Sequence, residues 1–526
     1  MPGKLRFIAL KEDLMPPIQL PDGGFTLDAS TSVVKQKTHF LECVRSFWTI
    51  TPMDEKSGHR GLASLFKNPD VIFLEVHGGQ TPPLWETIPK RTLRHSLGSF
   101  MYPQFVYKEL GLPYNTVNLV LTDFQLKRLE KYLKQLIPPM AVFAPRLDEK
   151  TFYPPDKKER LKARKKLGVS DKEIHIVYAG RYIVTKGICQ LLHIFNLWPM
   201  KNAKVTLVGG FTPDFPLQQA GASHVTFKNY FERHFIRNKQ GVEIKLMEPQ
   251  GPEGLREALW SADLFVYPSV HEDENFGMAP REALLCGVPV VVADFCGLHP
   301  LASQMPWGGI ATYSTCHGSR YSLKQFRDLI TQAIGRGKEY SHFEYSALVK
   351  KECDPRLSRA NLQEAIKSLL KAPLKTPHDM QSAGKQVMRN LFRYADERIV
   401  RAFINKNNDL PDGMFVDGTG LPFSQNEFFR VIQGMYTTMP ERPPVEAGSI
   451  WRGFFKLALW DSEKSLVEFG FPGPRMRCYN NREWRTLVSC VRAESKGEII
   501  FSPRKTAEKK LIQELVDLGY IVPDSY

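Results

Sequence analysis

The chain has no run of 18 apolar residues of the kind that crosses a bilayer as a helix. Its opening, MPGKLRFIAL, lacks the apolar stretch and small-residue cleavage site of a secretory leader, so the expected location is cytoplasmic, with at most a peripheral seat on a membrane. Cysteine is sparse. The eight residues, at 43, 189, 286, 296, 316, 353, 478 and 490, show no Cys-x-x-Cys pair and no zinc spacing, which favours reduced packing thiols over disulfides or a structural metal. Asp-x-Asp is missing throughout, removing a familiar carboxylate pair for a divalent ion, and no metal is expected. No recurring period is present, which argues against a solenoid or a propeller.

What the chain does have is length and positive charge. Its 526 residues, 42% of them hydrophobic, suffice for two large cores and part of a third. The 71 Lys and Arg against 56 Asp and Glu give a net +15, which implies an anionic partner: a phosphorylated small molecule, a lipid-linked phosphate, a membrane surface or nucleic acid. Residues 151–374 hold 30 bases against 22 acids and carry most of the excess; residues 375–526 hold 22 against 19. The densest run, KKERLKARKKLG from Lys157 to Gly168, reads first as a solvated helix face and second as a rest for an anionic surface.

The richest stretch is DLFVYPSVHEDENFGMAPREALLCGVPVVVAD, Asp263 to Asp294. β-Branched and aromatic residues in 263–269 and 288–294 read as buried parallel strands, while Ala279 to Cys286 has helical composition that stops at Gly287. In a strand-loop-helix-strand unit the loop opens at the carboxyl edge of the sheet, where α/β proteins bind ligands. The free N–H groups of Phe276, Gly277 and Met278 would point there, and Gly277 admits a close backbone approach. Glu274 and Glu282 can accept hydrogen bonds from sugar hydroxyls, although two glutamates around a helix start are by themselves an ordinary solvated pair.

Upstream, IHIVYAGRYIVTKG reads as a strand, Ile174 to Ala179, ending in Gly180-Arg181, with a helix beginning near Lys186-Gly187. Arg181 offers a planar fork of donors and Lys186 a mobile point charge; both suit a phosphate. VTLVGG, Val205 to Gly210, adds a strand and a glycine turn. In the N-terminal half LRFIAL reads as a first strand, and Gly23-Gly24 is either a phosphate-facing turn before the first helix or a plain one. DVIFLEVHGG ends a strand at His77, and KRTLRHS carries His95; a lone histidine after a strand is as readily a hydrogen-bonded structural residue.

Together these motifs resemble the retaining nucleotide-sugar glycosyltransferases of the GT-B fold, family four, whose hallmark is Glu, seven residues, Glu, with Phe-Gly at the second and third positions after the first Glu. Glu274, Phe276, Gly277, Glu282 and Ala283 match, as do Ala262 to Ser269 before them and Gly287 to Val291 after them. The resemblance covers roughly residues 1–370. It implies an α/β fold of two Rossmann-like domains facing across a cleft, an acceptor domain at 1–148 and a donor-binding domain at 149–330, with closing helices at 331–374. Residues 375–526 lie outside it and are expected to form an α+β or mostly helical extension, winged-helix-like among the options. The implied activity is transfer of a sugar from a nucleoside-diphosphate sugar to a hydroxyl acceptor in glycoconjugate or polysaccharide synthesis, with no cofactor beyond that co-substrate.

By the same resemblance Arg181 and Lys186 would clamp the leaving diphosphate, Glu274 would hold the sugar, and His95 would stand near it. Gly23, Gly24, Gly180, Phe276, Gly277, Met278 and Glu282 would bind the donor, Glu282 at the ribose hydroxyls. The hinge-like AVFAPRLDEKTFYPP matches the family at Asp148, Phe152 and Pro154 and departs from it at Pro145-Arg146-Leu147. Two other readings stay open: a hydroxylated DNA base as acceptor, which the basic excess would suit, and a non-catalytic GT-B module binding a partner through residues 375–526.

Overall fold

The computed structural model describes residues 6–10, 31–53, 68, 70–77, 91–96, 116–133, 140–183, 186–197, 200, 202–211, 242–271, 274–315, 318–321, 323–339, 341–371, 444–453, 455–461, 465–470, 478–479, 481–495, 498–517 and 521–523. The first unit contains β1 (Arg6–Leu10), α1 (Thr31–Arg45), β2 (Ile50–Met53), β3 (Val71–His77), β4 (Thr92–Ser96), β5 (Thr116–Val120), α2 (Asp123–Leu133) and β6 (Met140–Val142). Its six strands lie in the order β2-β1-β3-β4-β5-β6, and all pairs are parallel. Buried Phe7, Ile72, Leu74, Leu93, Val117 and Leu119 on the strands meet Phe40, Leu41 and Val44 of α1.

The second unit runs through α3 (Lys157–Leu167), β7 (Ile174–Ala179), α4 (Ile188–Leu197), β8 (Ala203–Val208), β9 (Glu243–Met247), α5 (Pro252–Ser261), β10 (Leu264–Tyr267), α6 (Met278–Leu285), β11 (Val290–Asp294), α7 (His299–Gln304), β12 (Ile310–Thr315) and β13 (Gly318–Tyr321). The strand order is β13-β12-β11-β10-β7-β8-β9, parallel except for β13, which turns back as an antiparallel edge hairpin on β12. β7, β8, β10 and β11 are almost wholly buried on both faces, the pattern expected of a parallel sheet covered on both sides. Both units are therefore Rossmann-like, as expected.

The basic run forms α3. Asp156 and Glu159 make a reciprocal capping box at its start, and Gly168 closes it at φ 70°, where a side chain would be strained. Its arginines face inward. Arg160 donates to the carbonyls of Trp260 and Ala262 and to Asp263 at 2.7–2.9 Å, and Arg164 donates to Ser261 O, Asp263, Ser170 O and Glu173 O at 2.6–3.0 Å. Both arginines of the run thus satisfy orphan carbonyls at the C-terminus of α5 instead of adding to a charged surface.

The chain then crosses back. After α8 (Leu323–Arg336) and α9 (His342–Glu352), which packs on α6, α10 (Pro355–Lys371) returns to the first sheet. Leu362, Ala365, Ile366 and Leu369 enter the first core, Ser358 donates to Ala144 O and Asn361 to Val142 O, each at 3.0 Å. The described part of the tail is α+β: β14 (Trp451–Gly453), β15 (Phe455–Asp461), β16 (Ser465–Gly470), β17 (Cys478–Tyr479), α11 (Asn481–Cys490), β18 (Val491–Ser495), β19 (Glu498–Phe501), α12 (Thr506–Asp517) and β20 (Ile521–Pro523), in two antiparallel sheets ordered β18-β19-β14-β20 and β15-β16-β17.

Candidate functional site

Two loops at the carboxyl edge of the second sheet converge on one ion pair. Lys186, between β7 and α4, places Nζ 2.5 Å from Oε2 of Glu274, between β10 and α6; the two residues are 88 apart in the chain, and both are buried. Gly187 is required beside the lysine. At φ +76° a Cβ there would lie 2.4 Å from the carbonyl oxygen of Pro268. The Ser269 hydroxyl donates to the same Glu274 oxygen at 2.6 Å, and Lys186 Nζ stands 5.5 Å from the centre of the Tyr267 ring. Burial pushes the Glu274 carboxyl up, but the Lys186 ammonium, the Ser269 hydroxyl and His271 more than offset it and hold Glu274 below the ordinary glutamate range. The same burial raises the Tyr267 hydroxyl well above its usual value, keeping it a neutral donor beside the carboxylate.

The helix start lies next to this pair. Gly277 is the N-cap of α6 at φ 77°, and no side chain caps the helix, so its first N–H groups keep their donor capacity and its positive dipole end. Phe276 is buried, and Glu282, on the second turn, is buried as well. The loop is locked by Gly297, whose N–H donates to Glu274 O at 2.9 Å. A Cβ at Gly297 would stand 1.8 Å from Asn275 O and 2.0 Å from its carbonyl carbon, both backbone atoms with nowhere to go. Gly297→Ala is accordingly expected to destabilise the protein by about 2–4 kcal/mol, read from the midpoint of urea unfolding, whereas Gly251→Ala should change it by less than about 0.5 kcal/mol. A Cβ at Gly251 meets nothing within 4 Å.

Arg181 is the exposed member of the group. Its Nη2 lies 3.2 Å from His271 Nε2, and its carbonyl accepts from the Tyr178 hydroxyl at 2.9 Å. The contact places the His271 ring where it can orient the guanidinium fork. Gly180 and Gly209 bring the ends of β7 and β8 together so closely that a Cβ on Gly209 would lie 1.9 Å from Gly180 O.

The first unit reaches this edge through the start of α2. Thr122 and Gln125 cap each other, with Thr122 N donating to Gln125 Oε1 and Gln125 N to Thr122 Oγ1, each at 3.2 Å. The Gln125 amide then donates to Asn275 Oδ1 at 3.0 Å, and Phe124 stacks on His299 with ring centroids 4.1 Å apart. Residues following β5 therefore touch residues following β10 and β11, which sets the carboxyl edges of the two sheets against one another.

Of the residues expected from sequence, Lys186, Glu274, Gly180, Arg181, Phe276, Gly277, Met278 and Glu282 all lie on the loops and helix start at this edge. His95 does not join them. Its position on β4 faces α1, so the ring stacks on Phe40 at 4.9 Å and meets Phe143 edge-on at 5.2 Å inside the first core, 1% exposed. Burial lowers its pKa to about 3. Gly23 and Gly24 lie outside the described residues. Ser269, His271, Gln125 and Arg281 were not anticipated; Ser269 and His271 sit within the motif itself, whereas nothing in the pattern around Gln125 and Arg281 distinguishes them from surface polar residues. Among the described residues no cluster of three or more His, Cys, Asp or Glu could hold a metal ion, and no helix is long and apolar enough to cross a membrane.

Residues 159–303 match the family model described as Glycosyl transferases group 1. A D-inositol 3-phosphate glycosyltransferase of Rhodococcus erythropolis is 29% identical over 167 residues, which cover 30% of this chain and 33% of that protein. An uncharacterised glycosyltransferase of Methanocaldococcus jannaschii is 30% identical over 143 residues, covering 27% and 32%. The chain thus spans about a third of the length of the curated relatives it matches. Among solved structures, a glycosyltransferase from Rickettsia africae is similar over 70% of this chain and 100% of that one, at 14% identity and a TM-score of 0.49.

Proposed function

We propose that this chain is a metal-independent, retaining glycosyltransferase that moves a sugar from a nucleoside diphosphate to a hydroxyl acceptor. The observation that carries the reading is the buried Lys186–Glu274 pair at the uncapped start of α6, because it places a cation, a carboxylate and free backbone donors within one edge of a parallel sheet. A nucleotide sugar carries the complementary groups. Lys186, Arg181 and the α6 N–H groups would surround the diphosphate; Glu274 would accept from sugar hydroxyls and Glu282 from the ribose. The match of residues 159–303 to group 1 glycosyltransferases supports the same assignment.

In the reaction the bond from the anomeric carbon to the β-phosphate oxygen breaks and its electron pair stays with the diphosphate. Charge therefore grows where Lys186 and Arg181 stand, which is the condition for stabilising the transition state more than the ground state. The acceptor oxygen bonds to the anomeric carbon on the face the diphosphate leaves, and its proton passes to a donor phosphate oxygen. No side-chain nucleophile is needed for this route. Gln125 and His299, which join the two units, would hold the acceptor side closed over the donor and exclude water.

The test is a thermal-shift panel of UDP, GDP, ADP and dTDP sugars followed by diphosphate-release assays with the responding donor. One donor at a hundred times its dissociation constant should stabilise the protein by about 2.7 kcal/mol. Glu282→Ala should raise the Michaelis constant for that donor by about tenfold, the loss of one carboxylate-hydroxyl contact pair. A protein indifferent to every donor in the panel refutes the assignment.

A further inference from the structure

Arg281 sits one residue before Glu282 on α6 and is fully buried. Its guanidinium lies 3.7 Å from the centre of the Phe276 ring, Nη1 reaches Gly297 O at 3.4 Å, and Nε and Nη2 grip the two carboxylate oxygens of Glu352 at 2.9 and 2.5 Å. Burying a guanidinium is costly, and a leucine would fill an apolar niche under a helix at no such cost. What the flat cation adds is orientation. One face fixes the plane and height of Phe276, one nitrogen ties down Gly297, and the fork is itself fixed by a carboxylate in bidentate geometry.

The rest of the guanidinium touches the Phe276 ring and the Gly297 carbonyl, one on each of the two segments that frame the candidate donor loop. Phe276 and the N-cap Gly277 lead directly into the first turn of α6, and Gly297 donates to Glu274 O, so Arg281 sits beneath the two segments that aim the N–H groups and the Glu274 carboxylate. Glu352 is the last residue of α9, and within three residues the chain enters α10, which is packed on the first sheet. The brace under the loop is therefore anchored where the chain passes between the two units.

We propose that Arg281 is a positioning residue: clamped by Glu352, it sets the Phe276–Gly277 backbone at the height required to bind the pyrophosphate of the donor. This rests on the reading of the site as a nucleotide-sugar site. A buried ion pair can often be replaced by two apolar residues with little loss of stability, which separates positioning from folding. The full chain carrying Arg281→Met together with Glu352→Met is compared with the wild-type chain and with Phe276→Leu, which leaves the ion pair intact.

Melting temperature and calorimetric affinity for UDP, GDP, ADP and dTDP are measured on each. The expected result is a double variant that melts near the wild type yet binds the preferred diphosphate at least tenfold more weakly, with KM for the nucleotide sugar raised more than kcat is lowered. Phe276→Leu should weaken binding to a similar degree while melting close to wild type, and it carries the test if the double variant does not fold. Wild-type affinity in either folded variant overturns the positioning role and leaves the site assignment standing. A wild-type chain that binds none of the four diphosphates overturns both.

Discussion

Lys186→Ala should lower donor turnover by about 10² to 10³ and destabilise the protein by about 3–5 kcal/mol, and the two effects have different origins. On the proposed function the loss of rate would come from removing the cation that meets the departing diphosphate. The loss of stability comes from what is left behind, a buried Glu274 carboxylate stripped of its ammonium partner and left to Ser269 Oγ, the Tyr267 hydroxyl and His271. Lys186→Met combined with Glu274→Gln removes both charges and should recover most of the stability in urea melts without recovering turnover. The pH response distinguishes them further. In the wild type Glu274 is held below its usual pKa, so its contribution is present at neutral pH and fades as pH falls through the folded value. In Lys186→Ala burial is left as the dominant influence and the folded-state pKa rises above the unfolded one, so the variant takes up a proton on folding. Its deficit against wild type should therefore shrink on acidification. A constant deficit across pH 8 to 5 would mean that Glu274 is not charged in this site.

The parts of this arrangement that could be read from sequence are those set by local rules. β-Branched runs marked β7, β8, β10 and β11, Gly287 marked the end of α6, and the Phe276-Gly277 pair marked a helix start without a side-chain cap. The meeting of Lys186 with Glu274 followed only from resemblance, since no local pattern joins residues 88 apart. Arg281 was invisible for a physical reason. A basic residue on a short amphipathic helix reads as solvent-facing until its partner is known, and Glu352 is 71 residues away. The apolar stripe of α10, Leu362, Ala365, Ile366 and Leu369, is covered by the first sheet, but a stripe by itself says that a helix is covered and not which sheet covers it. His95 stood near the sugar only by resemblance, whereas the alternation of β4, which ends at Ser96, turns it inward with Leu93, in line with the structural reading of a lone histidine.

That inward placement should make the first unit the more acid-sensitive of the two. His39 and His95 in the first core have pKa values lowered to about 4 and about 3, and His175, between the Ser261 and Thr206 hydroxyls of the second unit, to about 4, in each case chiefly by burial. Because the folded-state values lie below the unfolded value near 6.5, the unfolded chain binds more protons throughout the interval between them, and stability falls as pH falls below about 6.5. Two such histidines cost the first unit up to about 2.7 kcal/mol per pH unit and one costs the second about 1.4, against total stabilities of about 5–15 kcal/mol. Hydrogen exchange read by mass spectrometry between pH 7 and 4.5 should show peptides of β3, β4 and β5 losing protection before those of β7, β10 and β11. His95→Phe keeps the flat ring against Phe40 and removes two ring nitrogens that have no hydrogen-bond partner. It should take about 1.4 kcal/mol per pH unit off the slope of the first unit and leave kcat for sugar transfer within twofold of wild type. A fall in kcat of a hundredfold in a variant that still folds would instead put the imidazole in the chemistry, and the first core would have to open during turnover for it to get there.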